Sequence, residues 1–387
     1  MTTIAHLADL HLGHRSLGAL TKEGQNQRQA DFEAAALLVA DYLIANPPDI
    51  VIVCGDLLNE TNIALRAMNG AAIFCRRITD AGIPLIAIGG NHDEAESQGR
   101  YNGLQFLSKH HGLTLLAGQM DIAGVRLHGV PYRTLSRAER MDLDLPQFDF
   151  AADKSNILMT HGYAEGTFDL LDHQELIIPQ SWLEDDRFDL VCLGHIHIHR
   201  QISKDRPIFY SGSTERRNFG EAEQRPGFYV HEIGGASKSV YLDQLGDGSI
   251  PRPMLVKEID TSEMTSKQLD DCVCKIIDEL PVDEMMLKLK LFNVSSQLDR
   301  TRARDAWRRR FRAKGGFYLD AVTQTRQIRE LLDIKFAAPP VDLLSALTDF
   351  LSAQTYASDD ERERIQNLAS EIYALASESV VQQREGE

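Results

Sequence analysis

The sequence predicts an α/β protein built on two sheets, followed by a smaller α/β unit and a terminal helical hairpin. Three observations point there. Over the first third, short apolar runs alternate with segments whose apolar residues recur every three or four positions. From about 115 to 235 the pattern shortens into strands and turns. Beyond a stretch rich in glycine and proline, a strand, helix, strand, helix, strand rhythm begins near residue 254.

Taken in order, residues 3–8, 50–54 and 85–88 read as buried strands. Between them, Phe32, Ala36, Val39 and Leu43 give one helix an apolar face, as do Ile63, Ala67, Ala71 and Phe74 for a second. Residues 113–116, 125–130, 156–160, 190–193, 208–211 and 227–233 read as the strands of a second sheet. Gly234, Gly235, Gly246 and Gly248, with Pro251 and Pro253, mark turns that close the first domain, set at 1–253. A second domain, 254–335, is expected to hold strands at 254–259, 285–292 and 317–322 and helices at 266–279 and 299–313. After Pro339 and Pro340, residues 336–387 carry two apolar helical stripes, one through Leu343, Leu347 and Phe350 and one through Ile365, Leu368 and Ile372.

The chain has 387 residues, 43% of them apolar and 25% charged, which suits a globular fold and excludes a disordered chain or a small disulfide scaffold. No apolar run approaches the roughly 20 residues of a spanning helix, and the N-terminus lacks the pattern of a secretory signal. A cytoplasmic protein without membrane contact is expected. Five cysteines without a CxxC pair read as reduced and structural. With 41 Lys and Arg against 57 Asp and Glu the net charge is −16, so any phosphate-bearing substrate must be captured locally.

Five clusters supply the chemistry for that capture: Asp9-Leu10-His11, Gly55-Asp56, Gly90-Asn91-His92-Asp93, Thr160-His161-Gly162 and Gly194-His195-Ile196-His197. Each follows an apolar run, and loops at the carboxyl ends of strands are where α/β sheets assemble sites. Oxygen and imidazole donors without thiolates suit Mn²⁺, Fe²⁺ or Zn²⁺. The donors outnumber what one octahedral ion with open positions can use, whereas one bridging Asp could hold two ions roughly 3.5–4 Å apart. Any one cluster alone would more often be a turn with a satisfied histidine; five in this order argue otherwise.

This ordered set resembles the calcineurin-like metallophosphoesterase superfamily, whose fold is a two-sheet sandwich flanked by helices. Ala8-Asp9-Leu10-His11-Leu12-Gly13, and Tyr210-Ser211-Gly212-Ser213-Thr214-Glu215-Arg216 through Phe219-Gly220-Glu221, narrow the resemblance to its SbcD-type DNA repair nucleases. The resemblance implies a metal-dependent DNA exonuclease and endonuclease that hydrolyses phosphodiesters with two divalent ions, Mn²⁺ foremost. Asp9, His11, Asp56 and His197 would hold one ion and Asp56, Asn91, His161 and His195 the other, with Asp56 bridging. His92 would be catalytic, stabilising the transition state or protonating the leaving oxygen. Some relatives carry a histidine where this chain has Asn59. The resemblance also implies an SbcC-like, SMC-type ATPase partner, a homodimer, a capping domain at 254–335 that touches DNA, and partner docking by 336–387.

Residues 300–314 hold eight basic side chains against Asp305 alone, a local charge of +7. Arg308, Arg309 and Arg312 are the candidate phosphate contacts; the alternative is a solvated helix face that pairs with acidic neighbours. A small-molecule phosphodiesterase or phosphatase would use the same five clusters without needing that helix.

Overall fold

The structure, a computed structural model, describes residues 1–93, 102–132, 146–167, 176–262, 264–294 and 300–324. In chain order the first strands are β1 (Thr3–Leu7), β2 (Ile50–Cys54), β3 (Leu85–Ile88), β4 (Thr114–Leu115), β5 (Gly118–Ile122), β6 (Val125–Val130) and β7 (Ser155–His161). A short ribbon of β8 (Tyr163–Ala164) and β9 (Ile177–Ile178) precedes β10 (Leu190–Gly194), β11 (Arg200–Gln201), β12 (Ile208–Tyr210), β13 (Gly227–Glu232) and β14 (Ser237–Tyr241). Two six-stranded sheets result, ordered β14-β13-β1-β2-β3-β4 and β11-β12-β10-β7-β6-β5. Each has four parallel strands with antiparallel neighbours at the edges.

The sheets do not divide at residue 115 as the sequence suggested. β4 pairs with β3, and the β13–β14 hairpin turns back to lie against β1, so the strands read at 113–116 and 227–233 belong to the first sheet. A run of apolar residues records burial but not which neighbour a returning strand selects, and that choice is a long-range one.

Alternation along the strands builds both cores. On β2, Val51 and Val53 face α1 (Gln27–Ala45), α2 (Leu65–Asp80) and α3 (Gly103–His110), packing against Val39, Leu43, Phe74 and Ile78. Ile50, Ile52 and Cys54 face the other sheet, meeting Ile157, Met159 and Cys192. Asn26 caps α1 by accepting from the Gln29 amide at 3.2 Å, and Asn102 with Gln105 forms a capping box at α3. Ile63 lies before α2, so the second helix begins two residues later than its apolar spacing suggested. The outer face of the second sheet is covered by Trp182 of the short helix α4 (Gln180–Leu183), with Phe188 and Leu183.

Beyond Arg252 runs a β15 (Met254–Asp260), α5 (Ser266–Glu279), β16 (Met286–Phe292), α6 (Arg300–Ala313), β17 (Tyr318–Gln324) unit. Its three strands are parallel, and it has its own core of Val273, Ile277, Leu287, Leu289, Trp307 and Phe311. Thr265 and Gln268 cap α5 reciprocally. The cysteines are all free, and Cys54, Cys75 and Cys192 are buried. No helix of the described residues is long and apolar enough to cross a membrane. The helical hairpin expected within 336–387 lies outside the described residues.

Candidate metal centre

Five strands of the two sheets end at one place. Asp9 and His11 follow β1, Asp56 follows β2, Asn91 and His92 follow β3, His161 closes β7, and His195 and His197 follow β10. The backbone bends sharply to bring them in: Asp9, His11, Asp56 and His195 all have positive φ, at 53°, 43°, 52° and 94°. Four non-glycine residues in that region store strain where the surroundings over-determine the geometry, a signature of functional sites. Two glycines permit the approach. A Cβ on Gly90 would run into the Asp56 carboxylate, and one on Gly194 into the Cys54 carbonyl.

The donor atoms converge closely. His11 Nε2 and His197 Nε2 are 3.0 Å apart, with Asp56 Oδ2 3.7 Å from the first and Asp9 Oδ1 3.9 Å from the second. On the other side Asn91 Oδ1 lies 3.0 Å from His161 Nε2 and 3.1 Å from His195 Nδ1, and Asp56 Oδ2 is 3.5 Å from His161 Nε2. Asp56 therefore touches both groups. Asp9, His11 and His197 form one set of potential ligands, and Asp9, Asp56 and His161 another.

The rings are held from behind. His161 Nδ1 donates to the Cys54 carbonyl at 2.8 Å, turning Nε2 inward. His197 Nδ1 donates to Glu221 Oε1 at 3.0 Å with the same effect. The Asp9 carboxylate accepts from the His195 amide at 3.1 and 3.0 Å, and Asp56 Oδ1 from the His92 amide at 2.9 Å.

His92 is placed differently. A nitrogen of it lies within 4.8 Å of ligand atoms of His11 and Asp56, yet both ring nitrogens have partners. Nδ1 donates to the Asn59 carbonyl at 2.7 Å, and Nε2 faces Arg217 Nη1 at 3.4 Å. The Asn59 side chain is turned away to His14, at 3.3 Å.

Burial and close contact shift the protonation of several of these groups. Burial raises the Asp9 carboxyl to about 6. Burial also pushes Asp56 up, but His161 and His11 outweigh it and hold that carboxyl far below its usual range. At His161 burial opposes protonation and Asp56 overrides it, lifting the imidazole to about 9. His11 and His195 are driven down, His195 to about 3, chiefly by burial. Clustered nitrogen and oxygen donors, Nε2 of His11 and His197 with oxygens of Asp56 and Asn91 among them, fit divalent cations of borderline hardness. A second buried group, His6, Cys192 and His231, does not invite a metal. Its imidazoles are already engaged with the Leu193 carbonyl at 3.1 Å, the Ser237 hydroxyl at 2.8 Å and each other at 3.4 Å.

Two supporting acids escaped the sequence reading. Asp93 accepts from the backbone amides of Gly90, Leu57 and Leu58, tying the β2 and β3 loops together; burial, aided by the Asp56 charge, raises its carboxyl to about 7. Glu221 orients His197. Both sit inside motifs visible in the sequence, but their partners are backbone groups or distant rings, which spacing does not reveal.

The basic candidates lie apart, on α6. Arg308 is engaged with the Leu319 carbonyl at 3.3 Å, Asp305 at 3.4 Å and Asp320 at 3.8 Å. Arg309 and Arg312 are exposed and have no ion pair among the described residues. Arg310 pairs with Asp278 at 2.6 Å.

Residues 2–199 match the calcineurin-like phosphoesterase domain. The chain is 30% identical over 230 residues to the DNA double-strand break repair protein Mre11 of Haloferax volcanii, covering 58% of this chain and 48% of that protein. It is 25% identical over 273 residues to the Aeropyrum pernix protein of the same name, covering 65% and 60%, and 28% identical over 249 residues to that of Methanococcus maripaludis, covering 59% and 63%. The match thus spans about half to under two thirds of these relatives' lengths. Proteins with this domain use divalent metals, and the Asp and His clusters are groups that could hold such ions. A match over half the chain, laid on a two-sheet sandwich whose strand ends gather these ligands, establishes that the chain belongs to the calcineurin-like phosphoesterase family.

Proposed function

We propose that this protein is a metal-dependent DNA nuclease that hydrolyses phosphodiester bonds and serves DNA repair. The observation that carries the reading is Asp56 standing between two sets of nitrogen and oxygen donors, in a chain whose relatives bear the name of double-strand break repair proteins. Asp9, His11, His197 and Asp56 would hold one divalent ion, and Asp56, Asn91, His161 and His195 the other. Bound there, the ions supply the positive charge that activates water and offsets the charge developing on the phosphate. Mn²⁺ is the favoured ion because histidine-rich mixed sites prefer later transition metals to Mg²⁺.

The chain's own residues do the rest. Cys54, Glu221 and the His195 amide fix ligand orientation, so little reorganisation accompanies reaction. His92, anchored through Nδ1 to Asn59, presents Nε2 as the group that exchanges a proton with the departing oxygen. The exposed Arg309 and Arg312 supply backbone phosphate contacts from the 254–335 domain, while 336–387 docks an SMC-type ATPase; a homodimer and a cytoplasmic setting complete the reading.

A small-molecule phosphodiesterase would share the centre. Linear duplex DNA and bis-p-nitrophenyl phosphate, each offered to purified protein with Mn²⁺ and with EDTA, separate the two. The nuclease reading expects Mn²⁺-dependent cleavage of both. Hydrolysis of the chromogenic diester alone would favour the small-molecule enzyme.

A further inference from the structure

We propose that Arg217 is a phosphate-binding residue of this centre, gripping the non-bridging oxygens of the ester under attack. The inference rests on the hydrolase reading above and extends it to a residue outside the five clusters. Arg217 belongs to a run, Glu215-Arg216-Arg217, in which the two neighbours are engaged elsewhere. Buried Glu215 pairs with buried Arg28 at 3.3 Å, and Arg216 donates to the Gln224 carbonyl at 2.8 Å and the Arg252 carbonyl at 3.3 Å. Both hold the loop to the body of the fold.

Arg217 points the other way. Its half-buried guanidinium makes one described polar contact, Nη1 to His92 Nε2 at 3.4 Å, and no carboxylate of the described residues lies within ion-pair distance. Glu221 is close enough for its charge and that of Arg217 to act on each other, but its oxygens are occupied. Oε1 takes His197 Nδ1 at 3.0 Å and Asn218 Nδ2 at 3.3 Å, and Oε2 takes the backbone amide of Arg217 itself at 2.8 Å. One carboxylate therefore fixes both a ring of the centre and the backbone from which Arg217 reaches toward it.

A permanent cation held among imidazoles, beside a pocket that would gather two more cations, requires an anion to complete it. Guanidinium is the side chain whose planar fork matches two phosphate oxygens at once. His92 meets the same point, so a bound phosphate ester would displace the long Arg217–His92 contact and lie between that arginine and the ligands. Asn59 is not available for this task, its side chain being turned to His14 and its carbonyl to His92.

The test uses the full-length protein and the variants R217Q and R217K. Metal content and melting temperature are measured first, then binding of inorganic phosphate to the Mn²⁺-loaded protein by calorimetry, then kcat and KM on bis-p-nitrophenyl phosphate. R217Q is expected to keep its metals and melting temperature, to weaken phosphate binding by about tenfold or more, and to lose kcat/KM in parallel. R217K should fall between, and added guanidinium ion should restore part of the R217Q loss. Unchanged phosphate affinity and KM in R217Q would overturn the assignment. So would loss of metal or melting temperature in step with phosphate binding, which would make Arg217 a support for His92 and His197. If the wild-type protein hydrolysed no diester, the hydrolase reading would fall, while the phosphate titration would still decide what Arg217 binds.

Discussion

Glu221 and His92 show how differently two residues of one centre are tied to it. Glu221 never meets the space where cations would sit, yet it sets the His197 tautomer through a 3.0 Å hydrogen bond. E221Q keeps the shape but offers an amide where a carboxylate stood. It is expected to weaken the affinity of the His197 site for Mn²⁺ by about 10- to 100-fold, read by metal titration, with little change in fold stability. His92 faces the centre with Nδ1 held by the Asn59 carbonyl and Nε2 toward the space beside Arg217, so H92A should retain its metals while cleavage drops by about 10²- to 10⁴-fold. Loss of metal in H92A would reassign it as a ligand. That the seven ligand candidates and His92 come together was legible because each stands directly after an apolar run. Glu221, Asp93 and Arg217 were not, because what they do depends on partners up to 125 positions away, as from Arg217 to His92.

At the level of elements, the Arg-rich helix α6 is not uniformly free. Asp278 holds Arg310, and Asp320 joins Asp305 in holding Arg308, so part of the +7, which already counts Asp305, is compensated by Asp278 and Asp320, neighbours that only the fold reveals. Arg309 and Arg312 remain the exposed pair. Replacing both with Ala is expected to lower the slope of log Kd against log salt for duplex DNA by roughly 0.9 per lost contact, with R308A changing it little. A slope unchanged in the double variant would mark α6 as a solvated face. The strands were easier to anticipate than their order. Residues 50–54 and 85–88 appear as read, since continuous apolar runs bury on both faces, whereas β14 and β5 lie in polar stretches and follow from pairing with a neighbour.

At the scale of the described molecule, the two-sheet body and the β15 to β17 unit are joined by a buried ionic network. Arg252 donates to Asp31 of α1 at 2.7 and 2.8 Å and to the Glu284 carbonyl at 3.0 Å, and Asp31 also pairs with Arg28 at 2.5 Å. Removing Arg252 leaves Asp31 buried with half its compensation. R252A is expected to cost about 3–5 kcal/mol in denaturant unfolding. A cost under about 1 kcal/mol would show the network to be dispensable. Such a join was invisible beforehand, because Asp31 and Arg252 are 221 positions apart and neither they nor Arg28 sit in a motif.

The proposed centre gathers five strand ends around two ions, with Asp56 between them. It is tested most directly by counting the Mn²⁺ bound when metal-stripped protein is titrated, beside the same titration of D56N. The expected result is two ions per chain for the wild type, and loss of at least one, with the remaining site weakened, for D56N. A single ion in the wild type, or two ions held equally well by D56N, would contradict it.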